Sequence, residues 1–343
     1  MQHTKKLATL AAACLFPILA QAQSNVTIFG LLDVNLAQER ANGLKRNAMD
    51  TSELNGSRLG FKGSEDMGNG LKAIFMLESA VAIDTGTSTG FTRQSYLGLE
   101  GSFGRVTFGR QYSPAFVAID PYEATGSSDR SAGMLHRKSG SVARGYQVRF
   151  DNMIKYRSPE MAGFSVDAGY WTGAENATND SDLRRAGRGY GLTGMYKGGP
   201  LSASATTQRY ISNNTGGTAT THGLGAAYDF GVVKLYALYT QDREGGTQGK
   251  GKARSYSVGA EIPVSKPGTL AISYGKRKES GEANTEDASG ASIYYMHNLS
   301  KRTTLYTAYT RISNDGIANY GFNITPNAGD NVSVIMAGLR HKF

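Results

Sequence analysis

Hydrophobic and polar residues alternate along most of this chain with a period of two. In the segment 57–64, Leu59 and Phe61 fall on one face while Arg58 and Lys62 fall on the other. The same alternation occurs in Val26–Asp33, Leu71–Glu78 and Val233–Thr240. A period of two indicates β-strands with one apolar face, and no stretch combines the caps and the period of an amphipathic helix of about twelve residues or more. The pattern therefore predicts an all-β protein.

Two kinds of break separate the alternating segments, and the two kinds take turns along the chain. Short breaks, most of which contain Gly or Pro, fall at 66–70, 101–104, 159–163, 198–200, 229–231, 263–268 and 299–302. Longer polar breaks fall near 39–55, 85–90, 113–148, 173–188, 212–220, 244–252, 279–287 and 313–330. Seven short turns and eight long loops predict sixteen strands, with both ends of the chain on the short-turn side.

Short turns at one end of the strands and long loops at the other are typical of outer-membrane barrels. Closing a sheet into a barrel pairs every backbone polar group without water, which the hydrocarbon region of a membrane requires. We therefore predict a transmembrane antiparallel β-barrel of sixteen strands over residues 23–343.

The composition agrees with a barrel better than with soluble domains. Glycine accounts for 44 of the 343 residues, and hydrophobic residues make up only 39%. That apolar share is low for several soluble cores, whereas a barrel needs only its lipid-facing half to be apolar. Tyrosines near strand ends, among them Tyr170, Tyr256, Tyr294 and Tyr306, suit aromatic girdles at the membrane interfaces, although ordinary strand propensity also favours tyrosine.

The first 22 residues have the pattern of a secretory signal peptide. Lys5 and Lys6 form a positively charged start, Leu7–Ala20 is apolar, and a small residue at each of positions 20 and 22 marks a cleavage site. We expect Sec-type export, with periplasmic chaperones as transient partners. The single cysteine, Cys14, lies in this leader, so no disulfide is expected.

Charge does not point to a nucleic-acid partner, although the whole chain carries a formal net charge of +9. Removal of the leader leaves 35 basic and 28 acidic residues, a net charge of +7. Export makes cytosolic functions and nucleic-acid binding poor explanations of this charge. The histidines lack a zinc-ligand spacing, so neither a metal nor a cofactor is expected.

Several motifs, in a fixed order, resemble those of Gram-negative general porins. They are SRLGFKGSED at 57–66, GLKAIFMLE at 70–78, RQSYLGL at 93–99, FGRVTFGRQY at 103–112 and the closing LRHKF at 339–343. The anion-preferring porins of β-proteobacteria are the most similar group, and the resemblance covers the whole mature chain. It implies a homotrimer in the outer membrane, surrounded by lipopolysaccharide and phospholipid. It also implies that the terminal Phe343 is read by the barrel-assembly machinery.

The longest break, 113–148, follows the fifth strand, and we name it loop L3. Loops of more than about 15 residues are usually functional or disordered. The resemblance implies that L3 folds into the lumen and narrows the channel, and that its carboxylates Asp120 and Glu123 face a basic wall.

By the same resemblance, the basic wall consists of Arg58 on the second strand, Arg93 on the fourth and Arg149 at the start of the sixth. The alternation itself supports Arg58, and Lys62 shares its face. Arg93 shares the parity of the apolar Leu97, so only the resemblance places it in the lumen.

Rings of arginine or lysine favour anions, since the low-dielectric wall focuses their field across the channel. The sequence thus predicts a water-filled channel for passive diffusion of small anionic or polar solutes, with a preference for anions. A substrate-specific channel with a solute-binding site in its lumen is the alternative. An outer-membrane enzyme is a poor match, because no G-x-S-x-G motif and no suitable Ser/His pair are present, so no catalytic residue is assigned.

Overall fold

The structure is a computed structural model that describes residues 25–126, 128, 130–137, 147–173, 187–211, 217–246, 249–280 and 286–343. The leader 1–22, with Cys14, lies outside the described residues. Among the helices that are described, none is long and apolar enough to cross a membrane.

The described chain consists almost entirely of antiparallel strands joined in one sheet. Their bounds are β1 Asn25–Ala41, β2 Leu44–Thr51, β3 Arg58–Asp66, β4 Lys72–Ala82, β5 Thr87–Ser88, β6 Gln94–Gly101, β7 Gly104–Tyr112, β8 Arg149–Arg157, β9 Phe164–Trp171, β10 Gly189–Gly198, β11 Leu201–Ile211, β12 Thr218–Asp229, β13 Lys234–Gly246, β14 Gly249–Pro263, β15 Gly268–Ser280, β16 Ala288–Asn298, β17 Thr303–Asn314 and β18 Val332–Lys342.

The sheet closes on itself through β1. One edge of β1 pairs with β18. On its other edge, residues 34–41 pair with β2 and residues 25–31 pair with β3. Because β2 and β3 follow each other along that edge, they form one barrel strand interrupted at 52–57, and the two-residue β5 only extends a loop. The barrel therefore has sixteen strands, as the sequence predicts.

All seven predicted short turns join consecutive barrel strands. Two of the predicted long loops are wrong. The segment 39–55 is mostly a hairpin, in which Ala41 pairs with Leu44 across a turn that has Gly43 at a φ of +72°. Strands β13 and β14 likewise extend through most of 244–252. In 39–55 both faces carry polar residues: Glu39 and Asp50 are buried on the inner side against Arg130 of L3, whereas Lys45 and Asn47 are exposed.

The two faces of the barrel differ as a membrane channel requires. Apolar side chains such as Leu36, Leu97 and Leu192 are exposed on the outer face. The inner face is polar, and two tyrosines that suited an aromatic girdle lie there instead. Tyr294 donates a hydrogen bond to Glu53 (3.2 Å) and Tyr306 to Asp33 (2.7 Å).

L3 packs against the inner wall that β9–β16 form. It contains a helix, α1 (Pro114–Ile119), followed by 3-10 helices at Asp120–Tyr122 and Ala132–Arg137. Ser113 caps α1 by accepting a hydrogen bond from the Phe116 N–H (3.1 Å). Hydroxyl groups of the wall bond directly to the backbone of L3: Ser204 donates to the Ala118 carbonyl (2.6 Å), Thr193 donates to the Pro114 carbonyl (2.9 Å), and Ser292 accepts from the Ala132 N–H (2.7 Å).

Glycines of the wall give L3 the space that it occupies. A Cβ added at Gly225 would lie 2.2 Å from the Tyr122 ring, and one at Gly275 would lie 2.1 Å from the Ala132 carbonyl oxygen. Gly223, Gly259 and Gly290 make similar approaches to Ile119, Ala124 and Ala132. Part of the high glycine content of the chain is therefore explained by the barrel wall beneath L3, where the absence of side chains leaves room for the loop.

We predict that Gly225→Val pushes L3 away from the wall and into the lumen, because the new side chain overlaps the Tyr122 ring. Overpacking of this kind costs about 1–3 kcal/mol. Single-channel recordings in planar bilayers should show a lower conductance. Gly194→Val is the matched control, since a Cβ there meets no atom within 4 Å. Equal conductance in the two variants would contradict the packing role of Gly225.

Candidate functional site

A buried arginine in the middle of L3 fixes the loop to the adjoining sector of the barrel, on β1 and β2. Arg130 contacts Asp50 (2.6 Å), Asn35 (3.2 Å) and Glu53 (3.4 Å). Its neighbour Ser128 bonds to Glu53 and lies 2.8 Å from the Tyr294 hydroxyl. L3 thus follows the inner wall as far as β16, and the Arg130 side chain extends this contact to the charged network on β1 and β2.

The two acidic residues assigned to L3 are engaged within the loop and with the wall behind it. Glu123 accepts hydrogen bonds from Ser257 of β14 (3.0 Å) and from Thr125 (3.1 Å), and burial raises the pKa of its carboxyl. Asp120 lies 3.6 Å from Arg137 in the same loop. These contacts direct Glu123 toward β14 instead of toward Arg58, because the serine hydroxyls of the recessed wall solvate its carboxylate.

The structure brings Arg93 into the lumen by an irregularity in the ladder. Gln94 pairs with Glu78, yet the Arg93 N–H also donates to the Glu78 carbonyl (3.0 Å), so two residues oppose one. Such a bulge redirects the side chain away from simple alternation. The Arg93 guanidinium then bonds to the inward-facing Glu78 carboxylate (2.6 Å) and to the Tyr112 hydroxyl (2.9 Å).

Tyr112, the last residue of β7, gathers the basic side chains around its hydroxyl. Arg149 donates to the same oxygen (3.0 Å), and its guanidinium lies 4.5 Å from the centre of the Tyr112 ring. Arg58 interacts electrostatically with both Tyr112 and Arg93. The other face of the Tyr112 ring stacks on Phe116 of α1, with centroids 4.7 Å apart. Tyr112 therefore joins the three arginines to the first helix of L3.

The charge of this cluster is only partly compensated. Arg93 has a carboxylate partner in Glu78, whereas no ion pair of Arg58 or Arg149 is found among the described residues. Arginine remains protonated in any environment of this kind. A water-exposed wall with excess guanidinium charge attracts anions and repels cations.

The remaining assigned residues lie away from this cluster. Lys62 is exposed on the inner face of β3, 5.5 Å from the centre of the Phe29 ring. Phe343 closes the barrel: its N–H donates to the Gly30 carbonyl (3.1 Å), and its carbonyl accepts from the Gly30 N–H (3.0 Å). The Phe343 ring covers Gly30, where a Cβ would lie 2.2 Å from it.

Sequence reasoning missed Arg130 and Tyr112. Arg130 lies among small polar residues in L3, without a periodic pattern that would reveal its partners. Tyr112 ends the quoted motif at 103–112, and its place directly before the longest loop was the one available signal. Among the described residues, no group of three or more His, Cys, Asp or Glu could hold a metal ion.

Comparisons with known proteins agree with this architecture. A family model described as Gram-negative porin matches residues 8–317. The chain is 34% identical to outer membrane porin protein 32 of Delftia acidovorans, with 94% of this chain and 95% of the relative covered. It is 31% identical to an outer membrane porin protein of Bordetella pertussis, over 98% of this chain and all of the relative. Among solved structures, the anion-selective porin from Comamonas acidovorans superposes with a TM-score of 0.84 at 32% identity, covering 94% of this chain and 100% of that one.

We predict that Arg130→Ala loosens the middle of L3, because Asp50 and Glu53 lose their buried cation. Removing one partner of a buried ion pair costs about 3–5 kcal/mol. Single-channel recordings should show larger open-channel noise and brief closures. Arg105→Ala, which breaks the exposed pair with Glu100, is the control and should leave the noise unchanged. A quiet Arg130→Ala channel would refute the anchoring role.

A second prediction concerns Tyr112→Phe, which keeps the ring stack but removes the oxygen that Arg93 and Arg149 share. Hydrogen bonds to charged groups contribute about 1.5–3 kcal/mol each, so the guanidiniums should spread apart. The ratio of chloride to potassium permeability, measured from reversal potentials, should fall while the protein still folds. Tyr190→Phe on the exposed outer face should leave the ratio unchanged.

Proposed function

Since this chain belongs to the Gram-negative porin family, we propose that it forms a water-filled channel in the outer membrane that prefers anions. Small hydrophilic solutes and ions cross it by passive diffusion. Arg58, Arg93 and Arg149 form the basic wall of the constriction, and Lys62 extends that wall toward the short turns. The family and the fold are those of a channel and not of an enzyme.

One observation carries the anion preference: the guanidiniums converge on Tyr112 at the lumen wall while Glu123 of L3 bonds to β14. Glu123 is thereby engaged away from the arginines, and Glu78 is the one carboxylate that pairs with them among the described residues. A relative with a matching fold over its full length is itself anion-selective, which supports the same preference here.

We also propose a homotrimer, in which the outer faces of β1, β2, β17 and β18 meet a neighbouring copy. These faces carry the exposed apolar residues Leu36, Met49, Leu305 and Leu339, which border a shallow apolar groove. Lipopolysaccharide and phospholipid would surround the rest of the barrel. The leader 1–22 would direct export, and Phe343 would be recognised by the barrel-assembly machinery.

We expect Arg58→Gln to lower the ratio of chloride to potassium permeability, because it removes an uncompensated charge from the lumen wall. The measurement is the reversal potential in planar bilayers under a potassium chloride gradient. Arg110→Gln is a charge-matched control on the outer parity of β7, where Arg110 pairs with Asp151 (2.6 Å). A reversal potential that shifts equally in both variants, or in neither, would exclude Arg58 from the selectivity filter.

A further inference from the structure

Five basic side chains line one open cavity of about 630 Å³ at the short-turn end of the barrel. They are Lys266, Lys301, Arg302, Arg340 and Lys342, and the polar residues Asn298, Ser300 and Thr304 lie between them. No acidic residue lines this cavity.

The fold holds these side chains together through backbone hydrogen bonds between neighbouring turns and strands. The Asn298 N–H donates to the Pro267 carbonyl (2.8 Å), which ties the end of β16 to the turn that carries Lys266. The Lys342 N–H donates to the Arg302 carbonyl (2.9 Å), which ties β18 to the turn before β17. The cationic groups therefore belong to fixed backbone positions.

None of the five cations has an ion-pair partner among the residues that the structure describes. The Arg340 guanidinium is oriented by Asn55 (2.7 Å) and Thr304 (3.3 Å), both neutral, and its Nε is buried without a hydrogen-bond partner. At another short turn, by contrast, Arg105 is neutralised by Glu100 at 2.6 Å. Asp33, the cross-strand partner of Arg340, offsets part of this positive charge. The remaining like charges repel one another, so a bound anion would relieve an existing electrostatic cost.

The cavity lies next to the basic wall of the constriction. Lys342 pairs with Leu31, and Leu31 pairs with Arg58 on its other side. The three positions lie side by side on adjacent strands and face the lumen, so the backbones of Lys342 and Arg58 are about 10 Å apart. An anion that leaves the constriction toward the short turns thus meets further positive charge.

We propose that this cavity is a binding site for small multivalent oxyanions of the phosphate class. Guanidinium groups bind such oxyanions through paired hydrogen bonds, and lysines add point charges. The electrostatic attraction between each cation and a bound anion is proportional to the charge of the anion. Five cations around one cavity therefore favour a divalent anion over chloride. The site rests on the proposed function only in requiring a water-filled lumen. Its role is to hold an anion at the periplasmic exit.

The test measures the chloride current of the reconstituted channel while inorganic phosphate is added at constant ionic strength. We expect a saturating fall in conductance, with half-block at a lower phosphate concentration from the short-turn side. In Lys301→Gln/Arg302→Gln the half-blocking concentration should rise about threefold or more, as expected for the loss of two exposed ion pairs. Both substitutions change side chains only, so the backbone hydrogen bond between Arg302 and Lys342 is kept.

The control is Lys197→Gln/Lys234→Gln, which removes two charges from strand ends beside other short turns of the same end. It should leave the phosphate response near that of the unmodified protein. Absence of block, or equal half-blocking concentrations in all three proteins, would overturn the site. The reversal potential in potassium chloride alone separates the anion-preferring channel from the oxyanion site. A channel that prefers chloride but is not blocked by phosphate would overturn only the oxyanion site.

Discussion

The docking of L3 against one wall of the barrel is the interaction on which the rest of the channel depends. Glycines beneath Tyr122 and Ala132 let the loop lie close to β12 and β15, and wall hydroxyls bond to its backbone. Arg130 then fixes the middle of the loop to β1 and β2. Because L3 occupies that side, the open part of the lumen is bounded by the arginine wall.

The electrostatic character of the lumen follows from this arrangement. Carboxylates that face the loop are bound by Arg130 or by hydroxyl groups, so they contribute little field to the open channel. A second buried cation, Arg277, bonds to Glu279 (2.7 Å) and to the Tyr320 hydroxyl (3.2 Å). It holds the segment 315–331 to the barrel wall in the same manner. Buried networks therefore position the loops, while the arginines around Tyr112 remain in contact with water.

The architecture could be predicted largely from sequence because it depends on local rules. Period-two alternation and Gly- or Pro-containing turns are encoded within a few residues, and they predicted sixteen strands correctly. The same rules failed at 39–55, since a strand with polar residues on both faces, such as the buried Asp50 and the exposed Lys45, loses its alternation. They also misplaced Tyr294 and Tyr306, because tyrosine suits both a lipid interface and a polar wall that offers a carboxylate.

The candidate site was less predictable, because its geometry depends on departures from regular structure. The bulge beside Glu78 reverses the facing that parity assigns to Arg93. The partners of Arg130 lie on β1, at the end of β2 and in the interruption after it, about 75 to 95 residues earlier in the chain. No local sequence pattern predicts such a long-range contact. The placement of Arg93 and Arg149 in the lumen was predicted only from the family resemblance.

The most direct test of the account is the zero-current potential of the unmodified, reconstituted protein under a potassium chloride gradient. An excess of guanidinium charge at the constriction makes chloride more permeant than potassium. The zero-current potential should therefore have the sign of the chloride equilibrium potential. A potential with the sign set by potassium would contradict the assignment of Arg58, Arg93 and Arg149 as the groups that govern permeation.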